Sequence, residues 1–229
     1  MKKYDLKNIN VEEYKLYFYE EKYLEVGRKI LNNEYKILEK YKDDNRTFVA
    51  LIEIENKKYV LKIPKNEYKK IWKKFLTLLK KGEGLSSLIN IRSARNKGLT
   101  EVMDIYLVGE KRKNGMISDS FFLSEYIEGK ICLENDKVEK ILELMKKMHK
   151  LGLYHGDCNP YNFLFTKEGI RMVDTKCKKM LFGNYKAHYD ILTMNKYLKS
   201  LKYIYNKNIF YYLTLFRKKN KKLIRRKFF

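Results

Sequence analysis

Little in this chain breaks a backbone or staples one. Two prolines and 11 glycines in 229 residues leave no composition for a long flexible linker. Cys132, Cys158 and Cys177 are widely spaced and form neither a CxxC pair nor a zinc-ligand pattern. That excludes a disulfide scaffold and a thiolate metal site, and it suits a reducing compartment. No apolar run approaches the roughly 18 to 20 residues that span a bilayer. After Met1-Lys2-Lys3 the residues Tyr4, Asp5 and Asn8 interrupt any signal-like apolar segment, so the expectation is a cytoplasmic protein, at most held against a membrane. Internal repeats are absent. Acids are in deficit, with 28 Asp and Glu against 51 Lys and Arg and a net charge of +23. The excess implies an anionic partner: a nucleotide, a phosphorylated glycolipid, a membrane surface or nucleic acid. Lys far outnumbers Arg, and Lys, Asn, Ile and Tyr are all abundant, so compositional bias accounts for part of the basicity.

What is present concentrates between residues 155 and 174. The run His155-Gly156-Asp157-Cys158-Asn159-Pro160-Tyr161-Asn162 is followed by the apolar strand Phe163-Leu164-Phe165, a turn at Lys167-Glu168-Gly169, a second apolar strand and Asp174. Phosphoryl transfer from a nucleotide needs these parts. One carboxylate must accept and aim the proton of an attacking hydroxyl, which is the role for Asp157. An amide oxygen and a second carboxylate must hold Mg²⁺ against the phosphates, which are the roles for Asn162 and Asp174. The turn between the strands lets these two converge on one ion. Asn at this offset, the intervening Pro, the paired strands and the terminal Asp make a chance match in a structural hairpin a poor rival.

This stretch resembles the catalytic loop of the protein-kinase-like superfamily. Gly156, where protein kinases carry Arg, is similar to the small-molecule branch of aminoglycoside and choline kinases, and it also occurs in small atypical protein kinases. The chain from about residue 35 to 220 most resembles the lipopolysaccharide core heptose kinases. The further residues carrying that resemblance are Leu61-Lys62-Ile63, Leu78 to Glu83, Asn96-Lys97-Gly98-Leu99, Ile105 to Lys111, and Glu125-Tyr126-Ile127-Glu128-Gly129. The resemblance implies an α+β, two-lobed protein-kinase-like fold with an antiparallel β N-lobe and a mainly α C-lobe. It implies ATP and Mg²⁺ as cofactors, and an inner-core heptose of a lipopolysaccharide glycolipid as acceptor.

Read in order, residues 11–26 are expected as a leading helix rich in aromatics. Glu34 to Tyr41, Thr47 to Ile54 and Lys57 to Ile63 read as an antiparallel meander with turns at Asp43-Asp44-Asn45 and Glu55-Asn56. The first turn lacks the glycine-rich G-x-G-x-x-G of protein kinases, and only the amides of Lys42 to Arg46 are there to approach phosphates. Lys62 stands where the family places its phosphate-binding Lys. Leu61 and Ile63 alternate away from it, which leaves a phosphate ligand or a solvated lysine, and the downstream loop favours the first. Asn66 to Lys81, with Tyr68, Ile71, Trp72, Phe75, Leu76 and Leu79 as its stripe, and Leu85 to Asn96 read as helices. The family expects an acid to pair with Lys62; Glu83 is the candidate and Glu101 the alternative. Thr100 to Lys111 and Phe121 to Tyr126 read as strands. Glu125 to Ile127 then occupy the hinge position, where the resemblance implies nucleotide binding by Glu125 and Ile127 through backbone groups.

Asp136 to Lys150 is an expected amphipathic helix with Gly152 as its stop. His149 reads as a surface or helix-end residue, and His155 as a residue that orders the loop. Asp174-Thr175-Lys176 stands in place of D-F-G, and no A-P-E follows, so no activation segment is expected. Residues 190–216 read as one or two helices. Arg217 to Phe229 reads as a basic tail suited to an anionic membrane surface, with nucleic acid as the weaker partner. The expected organisation is a single kinase-like domain with an N-lobe over 1–126, a C-lobe over 127–216 and the tail over 217–229. Two other functions compete with the heptose kinase: a small atypical protein kinase of the tRNA-modification type, and a non-catalytic pseudokinase that binds nucleic acid or membrane.

Overall fold

In the computed structural model the chain is described over residues 5–65, 71–198 and 203–227. It forms two compact units. The first comprises Met1–Asn96 and Met103–Ile127, and the second Lys97–Val102 and Glu128–Phe229.

The first unit is built on a seven-stranded antiparallel sheet. Its strands are β1 (Lys7–Val11), β2 (Tyr14–Phe18), β3 (Lys36–Asp43), β4 (Thr47–Ile54), β5 (Lys57–Pro64), β6 (Ile105–Lys113) and β7 (Met116–Glu125), in the order β1-β2-β6-β7-β5-β4-β3. Two hairpins are closed by two-residue turns in which both residues have positive φ: Glu55 and Asn56 at 50° and 60°, and Asn114 and Gly115 at 53° and 75°. That geometry matches the right-handed twist of the flanking strands, and Asn and Gly adopt it at low cost. The helices α1 (Lys22–Leu31), α2 (Ile71–Leu79) and α3 (Glu83–Asn96) complete the unit. Part of the expected first long helix, 66–70 with Tyr68, lies outside the described residues.

The expected helix over 11–26 is not formed. Residues 7–18 are instead a hairpin turning at Glu12 (φ 51°), and α1 begins only at Lys22. The controlling pattern has period two: Leu16 and Phe18 are fully buried, while Tyr17 between them is half-buried and Lys15 before them is exposed. β2 pairs with β6, and α1 covers both with Tyr23, Val26 and Ile30. A Cβ on Gly27 would meet Leu16 Cδ1 at 2.7 Å and Leu107 Cδ2 at 3.0 Å, so only glycine lets the helix seat this closely on the sheet. Leu16, Phe18, Ile52, Leu61, Leu107 and Leu123 form the buried centre of this unit.

The second unit is mainly helical. It contains α4 (Asn135–Lys150), β8 (Leu153–Tyr154), a 3₁₀ turn (Pro160–Asn162), β9 (Phe163–Thr166), β10 (Gly169–Met172), β11 (Lys178–Lys179), α5 (Tyr185–Met194) and α6 (Ile209–Lys227). β9 and β10 form one small antiparallel pair, and β8 and β11 another. Residues 97–102 lie between α3 and β6 in sequence but dock here. The carbonyl of Glu101 accepts from Met172 N at 2.8 Å, and its carboxylate meets Lys147 at 2.6 Å. The basic run from Arg217 continues α6 through Lys227 and is not a separate tail, while Phe228 and Phe229 lie outside the described residues.

Candidate active site

The loop after β8 is held from below by one buried carboxylate. Asp190, in α5, is fully buried. It accepts from His155 N at 2.6 Å and from Gly156 N at 3.0 Å, and His149 Nε2 lies 3.2 Å from the same group. Gly156 has φ +89°, a conformation that side chains rarely adopt, and a Cβ there would lie 3.2 Å from the stem of Lys176. His155 is wholly buried with its ring 5.4 Å from that of Phe163. Burial pushes its imidazole pKa below the ordinary value, which keeps it neutral. It therefore orders the loop from within. His149, expected as a surface or helix-end residue, stands at the end of α4 and is buried there: its Nδ1 lies 2.6 Å from the Tyr205 hydroxyl and its Nε2 faces Asp190. The reason is its place in the last turn of α4, which the loop and α5 cover.

Past Gly156 the chain turns outward. Asp157 is exposed, and its backbone carbonyl accepts from Asn159 N at 3.0 Å and from Asn162 Nδ2 at 2.8 Å. Asn159 caps the 3₁₀ turn, its side-chain oxygen accepting from Tyr161 N at 3.0 Å with Pro160 at the first position. The bond from Asn162 has a chemical consequence. Its amide nitrogen is committed to the loop, so the end left to act is Oδ1, an acceptor of the kind that binds a hard cation.

The β9–β10 hairpin then returns the chain to Asn162. Val173 N donates to the Asn162 carbonyl at 2.9 Å, and Asp174 follows at φ +48°, exposed. Beyond it, Lys176 N donates to the His155 carbonyl at 2.9 Å, and the Thr175 hydroxyl approaches the same oxygen at 3.4 Å. Thr175 and Lys176 thus anchor the segment after Asp174 directly to the loop that carries Asp157. Hydrogen bonds thus tie Asn162 to the Asp157 carbonyl on one side and to Val173, the residue before Asp174, on the other. Among the described residues no group of three or more His, Cys, Asp or Glu converges as a metal cage. One amide oxygen and one carboxylate fit Mg²⁺, which keeps waters and takes substrate phosphates as its other ligands, and do not fit a structural zinc.

The remaining candidates, Glu101 apart, lie in the first unit. Lys62 is on β5 with its ammonium 5.4 Å over the Phe122 ring, and Leu61 is buried on the opposite face, as alternation requires. Glu83 opens α3 and is exposed; a Cβ on the adjacent Gly84 would lie 3.6 Å from the same Phe122 ring. Lys62 and the start of α3 at Gly84 therefore both approach the Phe122 ring. Glu101, the alternative acid, engages Lys147 in the second unit. Glu125 ends β7, with its backbone N donating to the Asp104 carbonyl and its Oε2 accepting from Asp104 N, both at 2.9 Å. Ile127 is half-buried and is the last residue of the first unit. In the turn between β3 and β4, the amides of Asp44 and Arg46 are already committed, to the Thr47 carbonyl and to the Asp44 carboxylate. Two of the amides expected to approach phosphates are thus occupied.

The residue that sequence reasoning missed is Asp190. Its signal was present: it is the one acid among residues 175–229, and it sits between Tyr189 and Ile191 in an apolar helix.

Comparison with known proteins identifies relatives of the whole chain. A curated relative, the lipopolysaccharide core heptose(II) kinase WaaY of Escherichia coli, is 31% identical over 214 residues, covering 90% of each chain. A second of the same description, from Escherichia coli strain K12, is 26% identical over 211 residues, covering 90% of this chain and 89% of its own. Among solved structures, WaaP in complex with acyl carrier protein superposes with a TM-score of 0.53 and 14% identity over 86% of each chain. That likeness supports the α+β, kinase-like fold. The model of the family described as lipopolysaccharide core biosynthesis protein (WaaY) matches residues 5–228, and the chain belongs to that family.

Proposed function

We propose that this protein is an ATP-dependent phosphotransferase whose acceptor is a hydroxyl of a heptose in the lipopolysaccharide inner core. The names of the two curated relatives support heptose(II) as the acceptor. The observation that carries the reading is the pair of hydrogen bonds that tie Asn162 to the Asp157 carbonyl and to Val173, the neighbour of Asp174.

Asp157 is an exposed carboxylate on a loop whose backbone is fixed on both sides. It accepts a hydrogen bond from the acceptor hydroxyl, aims its oxygen, and takes the proton as that oxygen becomes the nucleophile. Asn162 Oδ1 and the Asp174 carboxylate hold Mg²⁺, with the Asn162 amide pinned so that its oxygen cannot flip away. Lys62 binds the α and β phosphates, and Glu83 steadies its ammonium. Backbone groups of Glu125 and Ile127 meet the base. When bound, ATP with Mg²⁺ supplies the transferable phosphoryl group and the cationic charge that neutralises it. The acceptor is lipid-held, which places the reaction at the cytoplasmic face of the inner membrane.

Labelled γ-phosphate transfer tests the proposal. Purified protein with ATP and Mg²⁺ is offered dephosphorylated core lipopolysaccharide, a tRNA-modification partner protein, or no acceptor. Label on the glycolipid's heptose supports the reading. Label on protein alone replaces it with the atypical protein kinase, and Mg²⁺-independent ATP binding with no transfer replaces it with a pseudokinase.

A further inference from the structure

The last 55 residues carry an electrostatic anomaly. Residues 175–229 contain sixteen Lys and Arg and a single acid, Asp190. That acid is buried and committed to His155 and Gly156, so this part of the chain presents no carboxylate side chain to solvent. Burial first, then the nearby Arg217, lowers the pKa of Lys186, with Lys178 and Lys176 acting in the same direction. Within this segment Asp190 alone opposes these cations.

The helix α6 adds a second anomaly, because it wears its apolar stripe on the outside. The face toward α5 is made by Phe210, Thr214 and Lys218. Thr214 is fully buried, Lys218 donates to the Tyr189 carbonyl at 3.1 Å and to the Thr193 hydroxyl at 2.8 Å, and Phe210 fills the space beside Gly183. The opposite positions, Ile209, Tyr212, Leu213 and Phe216, recur at helical spacing, yet Ile209 is 69% and Phe216 67% exposed. The adjoining loop before α5 adds Leu181 at 80% and Phe182 at 74% exposure. Six large apolar side chains in open water, bordered by Arg217 and Lys219, are not explained by the packing of this unit.

We propose that α6 and the Leu181–Phe182 loop form a membrane-docking face. The helix lies in the headgroup region of an anionic bilayer, with its apolar stripe against the acyl chains and its cations among the lipid phosphates. Charge complementarity selects this occupant. A second copy would bring a like-charged face against this one and be repelled. Nucleic acid would satisfy the cations but leave the aliphatic Ile209, Leu213 and Leu181 with nothing to bury them. An anionic lipid interface satisfies both. The helix is about 28 Å long, but among the described residues no helix is long and apolar enough to cross a membrane, so α6 lies on the surface. The inference does not depend on the kinase reading.

Co-sedimentation of the full chain with vesicles tests it. Phosphatidylglycerol–phosphatidylethanolamine vesicles are compared with neutral phosphatidylcholine vesicles, an acidic carrier protein and duplex RNA. The expected result is binding to the anionic vesicles at least tenfold tighter than to the neutral ones, as expected when several Lys and Arg lie near the surface. Ile209→Gln with Phe216→Gln, and separately Leu181→Gln with Phe182→Gln, should each weaken it by roughly tenfold. Transfer to a water-soluble core oligosaccharide should be unchanged in both, and so should the melting temperature. A Phe216→Trp variant keeps the test independent of affinity: brominated acyl chains should quench its fluorescence. Failure to bind anionic vesicles overturns the proposal. So does vesicle binding that neither apolar pair alters, or capture by the acidic protein or RNA with none by vesicles. A chain that binds vesicles but transfers no phosphate would overturn the kinase reading and leave this one standing.

Discussion

Leu61 and Asp190 are both fully buried, one in the sheet of the first unit and the other in α5 of the second, and they hold their surroundings in opposite ways. Leu61 is surrounded by Ile52, Leu123 and Leu107 in a core without charge. Its contribution is area removed from water, spread over many neighbours and indifferent to a few tenths of an ångström. Asp190 is surrounded by donors aimed at two oxygens, and its contribution is directional. The sheet that carries Lys62 is therefore stabilised by burial, whereas the loop that carries Asp157 is positioned by polar contacts. Substitutions in the first should be felt mainly as stability, and substitutions in the second mainly as activity.

The largest effect should come from Asp157, which holds its loop through its backbone carbonyl and leaves its carboxylate exposed. Asp157→Ala removes an exposed carboxylate and should lower turnover by about 10³-fold with the melting temperature unchanged; steady-state kinetics beside a thermal melt check both halves. Leu61→Ala should do the reverse. It should cost about 3 kcal/mol of unfolding free energy by denaturant titration, with turnover of the remaining folded protein nearly intact. If Leu61→Ala instead abolished turnover at low temperature, the division between the two regions would fail.

Asp190→Asn should show a mixed pattern. It keeps the shape but loses acceptor capacity under His155 and Gly156, costing about 2 kcal/mol. Because the loop would shift, turnover should fall more than ATP affinity, and a loss confined to ATP affinity would contradict the positioning role. The smallest effect concerns acid. His155 is buried with its pKa lowered from 6.5, so below pH 6.5 the unfolded chain binds a proton that the folded chain refuses. Stability contributed by the neutral ring is fully present above pH 6.5 and is lost as the pH falls below it. His188 is shifted in the same direction by burial. Denaturant titration at several pH values should find His155→Leu with a shallower acid slope, by about 1.4 kcal/mol per pH unit. An unchanged slope would mean that His155 is charged in the folded protein.

The same contrast explains how far the sequence could be read. Local signals were legible. Glu55-Asn56 and Asn114-Gly115 announce two-residue turns, Thr47 to Ile54 is a strand with the bounds expected of it, and the Asn and Asp spacing after Asp157 marks the catalytic hairpin. The region around residues 14–18 was misread because Tyr14, Leu16, Tyr17, Phe18 and Tyr19 satisfy both a helical and an alternating pattern, and the choice is made by pairing with β6, ninety residues away. The helix-end position of His149 was legible, but nothing within α4 signals that Asp190 and Tyr205 will cover it. Long-range polar clamps leave a single letter in the sequence. In the case of Asp190 that letter is conspicuous only once the surrounding sixteen cations have been counted.

The most direct test separates the chemistry from the metal. Calorimetric titration of ATP into the protein, with and without Mg²⁺, should give Mg²⁺-dependent affinity that Asp157→Ala leaves within about twofold of wild type. Asp174→Ala should abolish the Mg²⁺ dependence. If both substitutions weakened ATP binding alike, or neither changed its response to Mg²⁺, the roles assigned to Asp157, Asn162 and Asp174 would be wrong.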